Sequence, residues 1–237
     1  MKKIILYIIG VCFISIGCNN EVTKEPKNNL PQNNGFLLSG TISNLTSNKT
    51  YLNKIIENSI YVLDSSSIED NTFEFAGIVD YPERYALTFK DYATIVVLIL
   101  ENKTMHIELD GHNLKEPIIT GSELNSKLNE YKIASKNIFS KIDYLFPHFQ
   151  KARLENDAEK LDEIGSEMKK IEAEFTNYSY DFIEKNKNSY IAAMILNDRL
   201  KTSYIDTLRI TKSYLNLSDE VKKCPDAQII AETLNLH

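Results

Sequence analysis

The chain has 237 residues, 43% of them apolar, and sets 27 basic against 33 acidic side chains for a net charge of −6. That is ample material for one or two hydrophobic cores. Lys and Arg are interleaved with Asp and Glu, as in Glu167-Met168-Lys169-Lys170-Ile171-Glu172, so there is no basic stripe and nucleic acid is not an expected partner.

Met1-Lys2-Lys3 followed by the apolar run Ile4 to Ile16 is too short to span a bilayer and reads as a secretory signal over residues 1–17. Ser15-Ile16-Gly17-Cys18 resembles a bacterial lipobox, in which cleavage before the cysteine leaves its thiol to carry a diacylglyceryl group. Cys18 is then the lipidation site, although Ser15 stands where leucine is more usual. The plain alternative is an ordinary signal-peptidase site and release of a soluble chain. Each buried methylene contributes about 0.8 kcal/mol, so several acyl chains hold stably where one holds marginally. Residues 18–35 form the tether: Asn recurs at 19, 20, 28, 29, 33 and 34, with Pro26 and Pro31, too little apolar surface to fold. As a coil this stretch spans about 20–25 Å. Loss of Lys2 and Lys3 with the leader leaves 25 basic and 33 acidic residues, a net −8. The expected location is the cell envelope, lipid-anchored at the outer membrane and facing the periplasm, or alternatively the cell surface.

A β domain is expected over residues 36–120. Runs rich in β-formers at Phe36 to Ile42, Thr50 to Ile56, Thr72 to Phe75, Arg84 to Phe89, Ala93 to Leu100 and Met105 to Leu109 are punctuated by Gly, Pro, Asn and Asp. That pattern predicts an antiparallel sandwich or open barrel. Thr72-Phe73-Glu74-Phe75 alternates as a half-exposed strand should, whereas Thr94 to Leu100 is nearly continuous in apolar residues and reads as the central strand, buried on both faces.

A helical domain is expected over residues 121–237, giving an α+β fold. Thr120-Gly121-Ser122-Glu123 has the spacing of a capping box with Thr120 as cap. Leu124, Leu128, Tyr131, Ser135, Ile138, Ile142, Leu145 and Phe149 then recur at steps of four and three, and Pro147 is expected to kink or end that helix. After Glu155-Asn156-Asp157 a second seam runs through Leu161, Ile164, Met168, Ile171, Phe175, Tyr178 and Phe182. The pair predicts an antiparallel helical hairpin packed within the chain, in preference to a long coiled-coil rod. Shorter helices are expected from Ser189 to Leu196, Ile205 to Tyr214 and Ala227 to Leu234.

Candidate chemistry is sparse. Cys12 lies in the leader and Cys18 takes lipid, so Cys224 is left alone, with no Cys-x-x-Cys anywhere. Behind Lys222-Lys223 it reads either as a free reactive thiol for mixed disulfides or as a small residue packed at a helix-to-turn junction. His106, His112, His148 and His237 show no metal-ligand spacing, and no metal or cofactor is expected. Asp64-Ser65-Ser66-Ser67 sets serine beside aspartate but lacks a nucleophile elbow, and reads as a strand-to-turn segment unless a histidine meets it in space. No Trp is present to stack a sugar, and the tyrosines read as packing residues.

Phe36-Leu-Leu-Ser-Gly40-Thr-Ile, Leu63-Asp64-Ser65, Phe73-Glu-Phe-Ala-Gly77, Pro82 with Tyr85, Leu100-Glu101-Asn102 and Ile119-Thr-Gly-Ser122-Glu-Leu-Asn125 stand in an order that resembles a domain of unknown function. That domain occurs in lipoproteins that usually carry a thioredoxin-like, peroxiredoxin-related domain after the helices. The likeness extends more loosely through Phe182-Ile183 and Asn188-Ser189. This chain reaches His237 without the Cys-x-x-Cys pair of such a domain, so the resemblance carries a fold and an address rather than an activity. Three functions are therefore expected in descending order. The first is a non-enzymatic envelope lipoprotein that binds or scaffolds another envelope protein. The second is a docking module for a separate thioredoxin-like thiol–disulfide oxidoreductase. The third is a hydrolase whose site assembles only in three dimensions.

Overall fold

Alternation at period two builds the first half of the computed structural model, which describes residues 35–56 and 59–236. The expected leader with Cys12, the expected lipidation site Cys18, the expected tether as far as residue 34, and His237 lie outside the described residues. Phe36–Ser43 (β1) buries Phe36, Leu38, Gly40 and Ile42 and turns Ser39, Thr41 and Ser43 outward. Lys49–Ile56 (β2), Ser59–Ser67 (β3), Thr72–Gly77 (β4), Glu83–Phe89 (β5), Val96–Leu100 (β6), Thr104–Asp110 (β7) and Ile118–Thr120 (β8) follow. They form two open four-stranded sheets, ordered β4-β1-β7-β8 and β3-β2-β5-β6. Leu38, Phe73 and Ile107 of the first sheet share one core with Leu52, Leu87 and Leu98 of the second, so the arrangement is a sandwich. One pairing departs from the antiparallel expectation: β1 runs parallel to β7, with Leu38 opposite Met105.

Two strand assignments need correction. The Asp64–Ser67 segment, read as strand-to-turn, is the end of a strand missed in the sequence, β3, which begins at Ser59 and is exposed along nearly its whole length. With neither face covered, no period-two signal exists to reveal it. It returns to β4 through Asp70 and Asn71, both at positive φ, in the two-residue turn that matches strand twist. Second, the run ending at Leu100 is not central. β6 pairs only with β5 and forms the edge of its sheet. Its apolar continuity arises because Val96, Leu98 and Leu100 enter the sandwich core while Ile99 enters the core of the helices.

The helices are Glu123–Leu154 (α1), Ala158–Lys185 (α2), Tyr190–Arg199 (α3), Thr207–Asn216 (α4) and Pro225–Leu234 (α5). Thr120 does not cap α1, because it stays in β8 opposite His106. Gly121 turns the chain at φ 81°, where an added Cβ would collide with the Thr104 carbonyl, and Ser122 becomes the cap, accepting from the Asn125 N–H at 3.1 Å. Nor does Pro147 end the helix. Pro147 and Asp143, whose carbonyl loses its donor, are both exposed and open to water, so α1 continues to Leu154. The expected hairpin forms: Asn156 turns at φ 56°, Asp157 caps α2, and Tyr131 meets Ser179 at 2.8 Å while Phe139 packs on Phe175 with centroids 4.6 Å apart. α3 is apolar nearly all round and is buried from Ile191 through Asn197 beneath α2, α4 and α5. The Arg84 guanidinium of β5 bonds both Asp198 oxygens at 2.7 and 2.6 Å, tying the second sheet to the end of α3. Among the described residues no helix is long and apolar enough to cross a membrane.

Candidate binding groove

A groove of about 680 Å³ lies between α1 on one side and β8 with its preceding loop on the other. Its position follows from the edge placement of β6. Asn125, in the first turn of α1, turns its side-chain amide onto Ile99: Oδ1 accepts the Ile99 N–H at 2.8 Å and Nδ2 donates to its carbonyl at 2.6 Å. Ile99 therefore points its peptide groups away from β5, and strand alternation makes Val97, two residues earlier, do the same. Val97 lies in the groove beyond the reach of the Asn125 amide. The lining is mixed: Ile118 and Ile133, left 60% and 52% exposed, stand beside Ser126, Asn129 and Asn137. At the rim Lys136 is paired with Glu116 at 2.8 Å, whereas Lys115 and Lys132 carry no ion pair among the described residues. Crowding around the Lys132 ammonium, and then the like charge of Arg84, hold its pKa below the ordinary lysine range.

A second, shallower cleft of about 450 Å³ lies on the outer face of the first sheet. It brings His106 together with Ser66 and Ser67 of the serine run, a proximity no spacing could show. Ser39 Oγ lies 2.8 Å from His106 Nδ1 and Thr41 Oγ1 lies 3.4 Å from Nε2. Both ring nitrogens thus face hydroxyls, and no carboxylate is bonded to the ring among the described residues, so the orienting acid of a triad is not in place. Ser66 Oγ accepts the Glu74 N–H at 3.3 Å and donates to the Ser67 carbonyl at 3.2 Å, stitching β3 to β4. Asp64 accepts from the Ser65 N–H at 2.7 Å on the open surface.

The remaining sequence candidates are scattered. His112 sits in the turn after β7, its N–H on Asp110 Oδ1 at 3.0 Å, and His148 lies on α1 beside the Tyr144 ring. No cluster of three or more His, Cys, Asp or Glu among the described residues is placed to hold a metal. The reactive-thiol reading of Cys224 meets a direct obstacle. The residue is 1% exposed at the start of α5, and burial pushes its thiol up to about 11, far from the thiolate that exchange requires. The packed-residue alternative describes it. Val97 and Lys132 escaped the sequence reading altogether. Asn125 carried a faint mark, as a lone amide between Leu124 and Leu128 in an apolar seam.

Residues 36–128 match the family model of a domain of unknown function, DUF4369. The matched segment spans both sheets and extends into α1 as far as Leu128, so it includes the Ser122 cap, Asn125 and the start of the groove wall. No curated protein matches the chain.

Proposed function

We propose that this protein is a non-enzymatic envelope lipoprotein, anchored through acylated Cys18 at the outer membrane and facing the periplasm, and that its folded part is a binding module for another envelope protein. The observation that carries the reading is the groove between α1 and β8. Val97 offers an N–H and a carbonyl on an open strand edge, isoleucines line the walls, and Lys115 and Lys132 stand unpaired at the rim. An extended segment bearing carboxylates satisfies all three: it bonds the strand edge, covers the isoleucines and gives the lysines counter-charges. A thioredoxin-like oxidoreductase remains one candidate partner, but it would have to dock by surface contact, since buried Cys224 supplies no thiol for exchange.

Site-specific photocrosslinking in intact cells tests this reading. A photoreactive residue at Ile133 is expected to capture a discrete envelope protein, and the capture should disappear with Lys132→Glu. The same probe at Leu208, 84% exposed on α4, should capture nothing specific. Equal capture from both positions would remove the groove as the docking site. Mass spectrometry of the N-terminal peptide tests the anchor separately, the expected product being a diacylglyceryl group on Cys18.

A further inference from the structure

We propose that β3 is a homodimerisation edge, pairing antiparallel with β3 of a second copy across a two-fold axis at Tyr61. From Ser59 to Leu63 this outermost strand carries no charge and no proline, two of the devices that ordinarily keep an open edge from pairing, and its one irregularity falls at the end of that stretch, at Leu63. Ile60, Tyr61, Val62 and Leu63 are each 42–63% exposed, so apolar side chains stand bare on both faces of the strand.

The backbone accounting fixes which groups are free. The Lys90 N–H donates to the Lys49 carbonyl and the Ile68 N–H to the Asn48 carbonyl, both at 3.0 Å. Along β2, odd-numbered residues therefore turn their peptide groups to β5 and even-numbered ones to β3. Beyond the irregularity between Leu52 and Asn53, where Leu63 is the extra residue, Lys54 stands opposite Tyr61. Tyr61 thus spends its peptide groups on β2, while Ile60 and Val62 present theirs to the open side.

A two-fold axis at Tyr61 sets Ile60 opposite Val62 of the second copy and Val62 opposite its Ile60. All the open groups of both residues then find partners, and the two Tyr61 side chains meet at the close, non-hydrogen-bonded position. Such self-complementarity is what an isologous interface requires, and Ile60-Tyr61-Val62 reads nearly the same in both directions. Charge leaves this edge open to a second copy. The chain is acidic, at −6, so like molecules need a neutral meeting point, and β3 has one charge, Asp64. The two Asp64 side chains fall on opposite sides of the axis, six strand positions and roughly 20 Å apart, well beyond a Debye length of about 8–10 Å. One strand pair buries less than the ~1,200 Å² of stable complexes, so the dimer belongs to the weak class.

Trapping therefore tests it better than sizing. The full chain carrying Tyr61→Cys, oxidised mildly in detergent, is expected to form a disulfide-linked dimer at least ~10-fold faster than Tyr204→Cys, a more exposed position in the α3–α4 connection, with the unaltered chain giving the background. Adding Val62→Pro, which removes an edge N–H, or Val62→Lys, which sets a cation against Ile60 of the other copy, is expected to return the rate to that of Tyr204→Cys. Unchanged far-ultraviolet circular dichroism and melting midpoint confirm that each variant is folded, and two substitutions guard against one failing to fold. Equal crosslinking from Tyr61 and Tyr204, or a Tyr61 crosslink indifferent to both Val62 changes, would overturn the proposal.

Discussion

Asn125 and Ile99 meet as two neighbouring strands would. The side-chain amide of one bonds both peptide groups of the other at 2.6 and 2.8 Å, so a helix residue closes the edge of a sheet. The position is buried, and water cannot replace either bond. Asn125→Leu keeps the size and removes both partners, leaving an orphaned N–H and carbonyl. Each costs about 1–3 kcal/mol, and the expected loss is ~2–4 kcal/mol in urea unfolding. A loss below ~0.5 kcal/mol would show that β6 does not depend on this amide.

Ser122 ties that contact to a buried carboxylate. Its Oγ donates to Glu101 Oε1 at 2.6 Å and accepts the Asn125 N–H at 3.1 Å, so one hydroxyl caps α1 and satisfies an acid that is 6% exposed. An N-cap serine alone is worth ~1 kcal/mol. Ser122→Ala is expected to cost more, about 2–3 kcal/mol, because Glu101 also loses a donor to its charged form. The double variant Ser122→Ala/Glu101→Gln should recover part of this. A single-variant loss no larger than an ordinary cap would mean that Lys103, 2.9 Å from Glu101, suffices on its own.

The parts of the fold that the sequence made readable are those where one face is wet and the other dry. β1, β4, α1 and α2 follow their periodicities to within a few residues, because Phe73 and Phe75, or Ile164 and Ile171, are buried at the steps expected. β3 was hidden because both its faces are exposed, and β6 was misplaced because both its faces are buried by different layers. The groove was illegible for a related reason. Val97, Ile118 and Lys132 come from three elements, and only the insertion of Asn125 beside the β6 edge brings them together. Spacing along the chain carries no record of that insertion, nor of the meeting of Ser39 with His106 across β1 and β7.

Gly40 stands opposite Phe73 in the β1–β4 pair, and a Cβ added there would overlap the Phe73 ring. The ring lies over the glycine because nothing projects from it, so the side chain of one strand fills the space that its neighbour leaves. Gly40→Ala must push the ring out of the sandwich core, at an expected ~1–3 kcal/mol. Phe73→Leu alone opens a gap, yet it makes room for the new methyl, so the two changes together should cost less than their sum. Thermal unfolding of the four chains gives the coupling directly. Strict additivity would mean that the ring is free to move aside.

Cys224 makes stability depend on alkaline pH in a way its substitution should abolish. Burial raises the thiol from an ordinary value near 9.0 to about 11, an effect that the nearby Ala227 amide only partly offsets. The folded state therefore holds the proton more tightly than the unfolded chain. Its contribution is complete below pH ~9, declines as the unfolded thiol ionises, and is lost as pH rises through ~11. Two pK units correspond to on the order of 2–3 kcal/mol. Lysines and tyrosines titrate in the same window, so the informative quantity is the difference between the unaltered chain and Cys224→Ala. The stability advantage of the unaltered chain over Cys224→Ala in urea unfolding should shrink by on the order of 2 kcal/mol between pH 8 and pH 10.5. Parallel pH profiles would show that folding leaves the thiol at its ordinary pKa. Native Cys224, 1% exposed, is expected to label slowly with a thiol reagent at pH 8, at a rate limited by local opening of α5, and labelling as fast as that of an exposed thiol would show that the site is open.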